Sequence, residues 1–402
     1  MRIAHLHTLA PAHLGRMAQV GRAKAVIAVS VLVGATVALS VAGRPGADYR
    51  HSDFFQFWVA PRLLLEGADP YDPIPWASIY AREAAAPIAS PVSATGRFVY
   101  PLWTAVLLLP LGALPLGVAA AAWLVAQLAA VALALRTLVG LVHGGRREAV
   151  LLFGLAAAFQ PVWLLVGGGN LTGFLLGLFV AALAAVLARE PVRGGLALAL
   201  LAVKPHPFIV AVPALIAARP GGWWLLVRSA LVTVVALLAI TIPFGPGWIG
   251  EWLASALALQ QTTGSNATVW TIGRVAPGGP IVAPLLALGA TALLVVWWRR
   301  RDREPLTRVG GAVPVSLFLA PHGWSYDHLL LLVPLAVIIG GLAPLDAGRR
   351  GAGLVAVAVL AGVLPWALYG IALGRGGEEW SALLPLAFFG LLVLVERWRR
   401  GA

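Results

Sequence analysis

Apolar runs of about 18 residues or more without a charge recur along this chain, and each is long enough to cross a bilayer as a helix. The first, AVIAVSVLVGATVALSVA, covers Ala25 to Ala42. In lipid, only an α-helix or a closed β-barrel satisfies every backbone N–H and C=O. The runs are continuous rather than alternating, which excludes a barrel. A mean hydropathy of +0.88 excludes an ordinary soluble domain. The expected fold class is an all-α polytopic membrane protein, with residues 1–402 forming a single integral membrane domain.

Run lengths predict about twelve spans. Beyond the first they lie near 98–115, 116–141, 149–166, 171–188, 194–218, 222–243, 281–298, 309–321, 327–342, 352–373 and 381–396. Residues 1–24 are basic and read as a cytoplasmic segment before an uncleaved first span. The formal charge of +13 would suggest nucleic acid in a soluble protein. Here most arginines sit in short junctions such as Arg146-Arg147, Arg349-Arg350 and Arg397 to Arg400, the pattern of positive-inside loops, so no nucleic-acid partner is expected. Alternation across twelve spans nevertheless places Arg146-Arg147 and Arg189/Arg193 outside, against that rule. The opposite orientation requires 98–115 or 194–218 to be re-entrant, and Pro101, Pro110, Pro205 and Pro207 allow either. The chain has no cysteine, hence no disulfide framework or thiolate metal site.

Two stretches break the apolar pattern: a first extracytoplasmic loop at 44–97 and a second at 244–280. Of the 16 carboxylates, Asp48, Asp53, Glu66, Asp69, Asp72 and Glu83 all fall around the first, interleaved with Phe54, Phe55, Phe57, Trp58 and Tyr71. Ser52-Asp53 followed by Gln56 opens an amphipathic stretch that ends at Gly67, predicting a short helix along the interface with its aromatics on the surface. Asp53 reads equally as a helix N-cap or as a catalytic carboxylate. Asp69 and Asp72 read as turn chemistry.

Ionisable groups at membrane depth are costly and point to a site or pathway. Lys204 lies in AVKPHP, about ten residues into its span, and either snorkels or binds an anion as a point charge. His51, His206, His322 and His328 lie in similar polar interruptions, and Asp327 beside His328 reads as a helix-linking pair or a site. GGGN at Gly167 to Asn170 is a glycine-rich bend, and Asn266-Ala267-Thr268 is a glycosylation tripeptide of the kind that arises by chance. No P-loop, GxSxG elbow or zinc spacing is present, so neither cofactor nor metal is expected.

The order of these segments resembles glycosyltransferase family 87, the GT-C-fold mannosyltransferases that use polyprenyl-phosphate-mannose. The segments are FFQFWVAPRLLLEGADPYDP, FVYPLWTAVLLLPLGALP, GGGN, AVKPHP and SYDHLLLLVPL, spread over about residues 48–340. Two elements depart from the family pattern. Phe98 to Leu102 carries one proline where F-x-Y-P-P is expected, and Gly168-Gly169-Asn170 lacks the glutamine of G-Q-x-N.

The resemblance implies a GT-C fold and an active site facing away from the cytoplasm in the cell membrane. The implied donor is a polyprenyl-phosphate-linked sugar drawn from the bilayer, and the acceptor is a glycolipid or glycan. It makes Asp53 the general base and aligns Lys204 with the family's K-x-x-P basic residue. Asp327 and His328 align with its Y-D-H segment.

A single inverting displacement needs one carboxylate, a cation for the departing phosphate and a wall for the sugar. Arg62, Arg97 and Lys204 are candidates for phosphate. Phe54, Trp58, Tyr71 and Tyr100 offer rings to the sugar and prenyl chain, and Asn170, His51, His206 and His322 complete the candidate substrate-binding set. A secondary transporter or flippase is the rival class, because broken helices with buried charge also describe carriers. A polymerase or ligase of lipid-linked glycans is a third reading.

Overall fold

The computed structural model describes residues 52–83, 98–218, 222–262, 266–300 and 303–401. The expected first span, His51 and Arg97 lie outside the described residues. Among the described residues every regular element is helical. Helices α1 (Asp53–Leu65) and α2 (Pro73–Glu83) occupy the first loop. Two short pieces, α3 (Leu102–Leu107) and α4 (Leu109–Gly112), lead into the long α5 (Leu116–Leu141).

Next come α6 (Arg146–Ala158), α7 (Gln160–Gly168), α8 (Thr172–Leu187) and α9 (Pro191–Leu200), and α10 (Ala211–Ala217) resumes after an irregular break. Then follow α11 (Trp223–Ala239), α12 (Trp248–Thr262), α13 (Val269–Val275), α14 (Gly279–Arg299) and α15 (Pro305–Leu319). The chain closes with α16 (Leu332–Leu342), α17 (Ala347–Ala358), α18 (Leu364–Arg375) and α19 (Leu383–Arg400).

Among the described residues, six helical stretches are long and apolar enough to cross a membrane: Leu116–Leu141, Trp223–Phe244, Gly279–Arg299, Ser325–Leu342, Ala347–Arg375 and Glu379–Arg400. A seventh forms if α6 and α7, bent by 56° at Phe159, count as one. Proline breaks several of the predicted runs. It removes a helical N–H and biases the preceding residue away from the helix. Pro161 follows the bend at Phe159. Pro101 and Pro110 leave 98–115 as two short helices, and Pro205 and Pro207 leave 194–218 broken around Lys204.

The broken segment is repaired from a neighbour. Ser316 Oγ of α15 accepts from the N–H groups of Val210 (3.0 Å) and Ala211 (3.2 Å) and donates to the Pro207 carbonyl (2.7 Å). One side chain thus satisfies backbone groups that would be orphaned in an apolar interior.

The 325–342 stretch runs through the core, with 89% of its span window buried. Around it, α11 and α14 carry exposed Leu231, Val235, Leu285 and Leu288 on faces suited to lipid chains. The first-loop helix differs from its expected form. Its aromatics are buried, not on the surface: Phe54, Phe55, Phe57 and Trp58 are at most 2% exposed. Phe57 stacks on Trp123 of α5 at 5.1 Å and lies 4.9 Å from Tyr100, while Trp58 Nε1 donates to the Leu114 carbonyl. Gly112 makes this seating possible, because a Cβ there would stand 2.7 Å from Arg62 N and 2.8 Å from the Pro61 carbonyl carbon. Each buried aromatic stabilises the docked helix by up to about 1.5–3 kcal/mol.

Candidate active site

Docking α1 brings its first residue to the inside of the molecule. Ser52 is the extended N-cap and Asp53 the first helical residue, so the N-cap reading of Asp53 does not hold. Its carboxylate opens instead onto a cavity of about 400 Å³, within the range that accommodates a small ligand. Asp53, Tyr100, Lys204, His206, His322 and Tyr326 line it, with Trp252 of α12 forming another wall. Among these lining residues Asp53 is the one carboxylate and Lys204 the one lysine or arginine.

Lys204 sits at the break after α9, 5% exposed, and its ammonium is 2.5 Å from Asp327 Oδ1. It also lies 4.6 Å from the Tyr326 ring centroid, a cation–π contact. Asp327 is held further by the Trp324 N–H at 3.1 Å and by the Thr172 hydroxyl at 3.5 Å. A buried ion pair of this kind is tolerable only because hydrogen bonds satisfy its remaining lone pairs. Tyr326 lines the cavity with Asp53, and its hydroxyl favours the ionised carboxyl. Burial pushes that carboxyl up to about 6, Lys204's charge pulls it down, Asp327's pushes it up and the Tyr326 hydroxyl pulls it down. Asp53 is therefore ionised at neutral pH yet more basic than an ordinary carboxylate.

The structure brings together Asp53, Lys204, Asp327, His206, His322 and Tyr100, which the sequence singled out from segments far apart. The rings of His206 and His322 lie 5.9 Å apart, edge to face, and His206 Nε2 and His322 Nδ1 have no hydrogen-bond partner among the described residues. His328 is 2% exposed and absent from the cavity lining, so it stands behind the cavity. Arg62 faces elsewhere, its guanidinium bonded to Glu66 Oε1 (3.0 Å) and the Gly112 carbonyl (3.3 Å). The Tyr71 hydroxyl donates to the Tyr100 carbonyl at 2.7 Å and so shapes the wall without reaching the space. Asn266 is 5% exposed, and its amide oxygen accepts from the Thr268 and Thr271 hydroxyls, so the glycosylation tripeptide is internal.

Asn170 supports the site from below. Its Oδ1 accepts from the Thr172 N–H at 3.0 Å, turning the chain into α8 so that Thr172 meets Asp327. The preceding Gly169 has φ +62°, and a Cβ there would stand 2.6 Å from Phe54 Cβ. A glutamine does reach this bend, from another helix. Gln127 of α5 donates to the Asn170 carbonyl and accepts from the Phe174 N–H at 2.9 Å.

Sequence reasoning passed over Tyr326 and Gln127. A lone glutamine in an apolar run was the available signal for the second. A tyrosine at a span end looks like an ordinary interfacial aromatic, which hid the first.

Comparison with known proteins adds three findings. The sequence model of glycosyltransferase family 87 matches residues 98–321, more than half of the chain. A polyprenol-phosphate-mannose-dependent alpha-(1-2)-phosphatidylinositol pentamannoside mannosyltransferase of Mycobacterium tuberculosis (strain CDC 1551 / Oshkosh) is 29% identical over 289 residues, covering 67% of this chain and 65% of that protein. The protein of the same description from Mycolicibacterium smegmatis (strain ATCC 700084 / mc(2)155) is 29% identical over 290 residues, covering 67% and 68%. The chain thus spans about two thirds of the length of these relatives. No solved structure matches.

Proposed function

Because the chain belongs to glycosyltransferase family 87, we propose that it transfers a sugar, mannose by its relatives, from a polyprenyl-phosphate donor to an extracytoplasmic glycolipid or glycan acceptor. The observation that carries this reading is the cavity where one raised-pKa carboxylate, Asp53, faces one lysine and two imidazoles, each with a ring nitrogen that has no hydrogen-bond partner among the described residues. Asp53 takes the proton of the acceptor hydroxyl, and the oxygen attacks the anomeric carbon. The bond from that carbon to the phosphate oxygen breaks, and polyprenyl phosphate leaves with the electron pair. Lys204, His206 and His322 surround the developing phosphate charge. Tyr100 and Trp252 offer rings to the sugar.

With Asp327 committed to Lys204, a single carboxylate is left for the reacting sugar, which suits one inverting displacement. Among the described residues no group of three His, Cys, Asp or Glu is arranged to hold a metal ion, and no step here requires one. The chain would have a GT-C arrangement of about twelve crossings. The bent α6–α7 pair and the shorter apolar stretches Thr172–Leu187, Pro191–Val203 and Pro305–Leu319 would add to the six long ones. The cavity would open away from the cytoplasm with α1 near the outer membrane surface.

The test is reconstitution of purified protein in vesicles with labelled polyprenyl-phosphate-mannose and envelope lipid acceptors. Label in a new glycolipid supports the reading. Movement of label across the vesicle without a new glycosidic bond would replace it with the transporter.

A further inference from the structure

The residues that meet Asp53 and Lys204 stand at the start of a helix whose N-cap side chain offers no acceptor. Trp324 is its extended N-cap and carries no side-chain acceptor for the first amides. Each helix N-terminus leaves about four N–H groups without an intrahelical partner. Two carboxylates take up the first of them here. Asp327 Oδ2 accepts from the Trp324 N–H, and Glu378 accepts twice from Ser325, through the backbone N–H at 2.7 Å and the hydroxyl at 3.0 Å.

Glu378 comes from the turn after α18, 53 residues along the chain, and the turn is itself closed by the Ser381 N–H on the Glu378 carbonyl at 2.9 Å. Ser325 directly precedes Tyr326, which lines the cavity with Asp53, and stands two residues before Asp327, which pairs with Lys204. Ser325 is 4% exposed, so its amide has little water to fall back on. Glu378 lies beyond the 98–321 range of the family match and outside the cavity lining.

We propose that Glu378 is a positioning residue: its two-pronged grip on Ser325 sets the register of Tyr326 and Asp327, and through them the placement of the Asp53 base and the Lys204 ammonium. The inference rests on the transferase reading for its consequence but not for its geometry. If Tyr326 and Asp327 shift beside Asp53 and Lys204, substrate binding survives while proton abstraction suffers, because misplacement of about 1 Å costs up to about a hundredfold in rate.

The test uses full-length protein in lipid and three variants. E378A removes both contacts. E378Q keeps them, since its amide oxygen accepts the N–H and its NH₂ meets a rotated Ser325 hydroxyl. E378D keeps the charge but withdraws it by one methylene, and it guards against a misfolded E378A. Two readouts are needed: hydrogen exchange at amides 325–327, which requires no activity, and the kcat, KM and pH profile of sugar transfer.

The expected result is faster exchange in E378A and E378D with near wild-type exchange in E378Q. In the same two variants kcat falls about tenfold or more at little-changed donor KM, and the acid limb moves to higher pH. Wild-type exchange and kcat in E378D, or an E378Q as damaged as E378A, would overturn the proposal. Loosened amides in E378A and E378D beside a wild-type protein that transfers no sugar would leave the positioning intact and remove the transferase reading instead.

Discussion

At Asp53 the burial that makes a better base also weakens the fold. A carboxyl raised from 3.8 to about 6 stays protonated in the folded protein at pH values where it ionises in the unfolded chain. Its folded-state penalty is therefore absent below about pH 4, grows between about pH 4 and 6, and is constant above that. At neutral pH it amounts to about 3 kcal/mol at most. Asp53→Asn should accordingly raise the thermal midpoint at pH 7.5, and the gain should vanish near pH 4. A variant that is less stable at pH 7.5 would mean that the carboxylate holds the helix start together. Lys204 has the opposite balance. Lys204→Met strands Asp327 as a buried unpaired charge, a loss of about 3–5 kcal/mol. Lys204→Met with Asp327→Asn should recover most of that stability while leaving sugar transfer absent. Recovery of transfer in the double variant would show that the ammonium serves only the fold.

At the scale of elements, the site is built where helices fail. The AVKPHP break brings Lys204 and His206 to the cavity, the start of the 325–342 stretch brings Tyr326, and the glycine bend before α8 sets Thr172 behind them on Asp327. Gly169 couples the glycine bend to α1, because its positive φ and its approach to Phe54 leave no room for a side chain. Gly169→Ala should shift α1 and lower kcat by about tenfold or more with modest loss of folded protein. Crystallography or cryo-electron microscopy of that variant would show Phe54 unmoved if the coupling is wrong.

These interruptions were legible in the sequence, because a lysine, a histidine pair or a triple glycine stands out against leucine and alanine. Their partners were not. Nothing near Ser316 announces that it satisfies the backbone at 207–211, and Glu378 in RGGEEW looks like any turn carboxylate. Such contacts join segments more than 50 residues apart, so no local pattern carries them. The aromatics of α1 misled for a related reason. Rings beside acids look interfacial until the partner surface, here Gly112, Leu114 and Trp123, is known.

For the whole molecule, run lengths revealed the class, but hydropathy does not see where prolines break a run into short or bent helices. The orientation also follows from the transferase reading. The chain lacks cysteine, so Ala256→Cys adds one thiol to the cavity wall without background. A membrane-impermeant maleimide should label it in intact cells, and donor lipid should protect it. Labelling only after the membrane is opened would put the cavity on the cytoplasmic side.

The most direct measurement is the pH dependence of single-turnover sugar transfer by wild-type protein and Asp53→Asn at matched donor occupancy. The account predicts a wild-type rate that falls as pH drops through about 6, and a variant slower by about a hundredfold or more with no such limb. An Asp53→Asn rate within a few-fold of wild type, with the same acid limb, would contradict it.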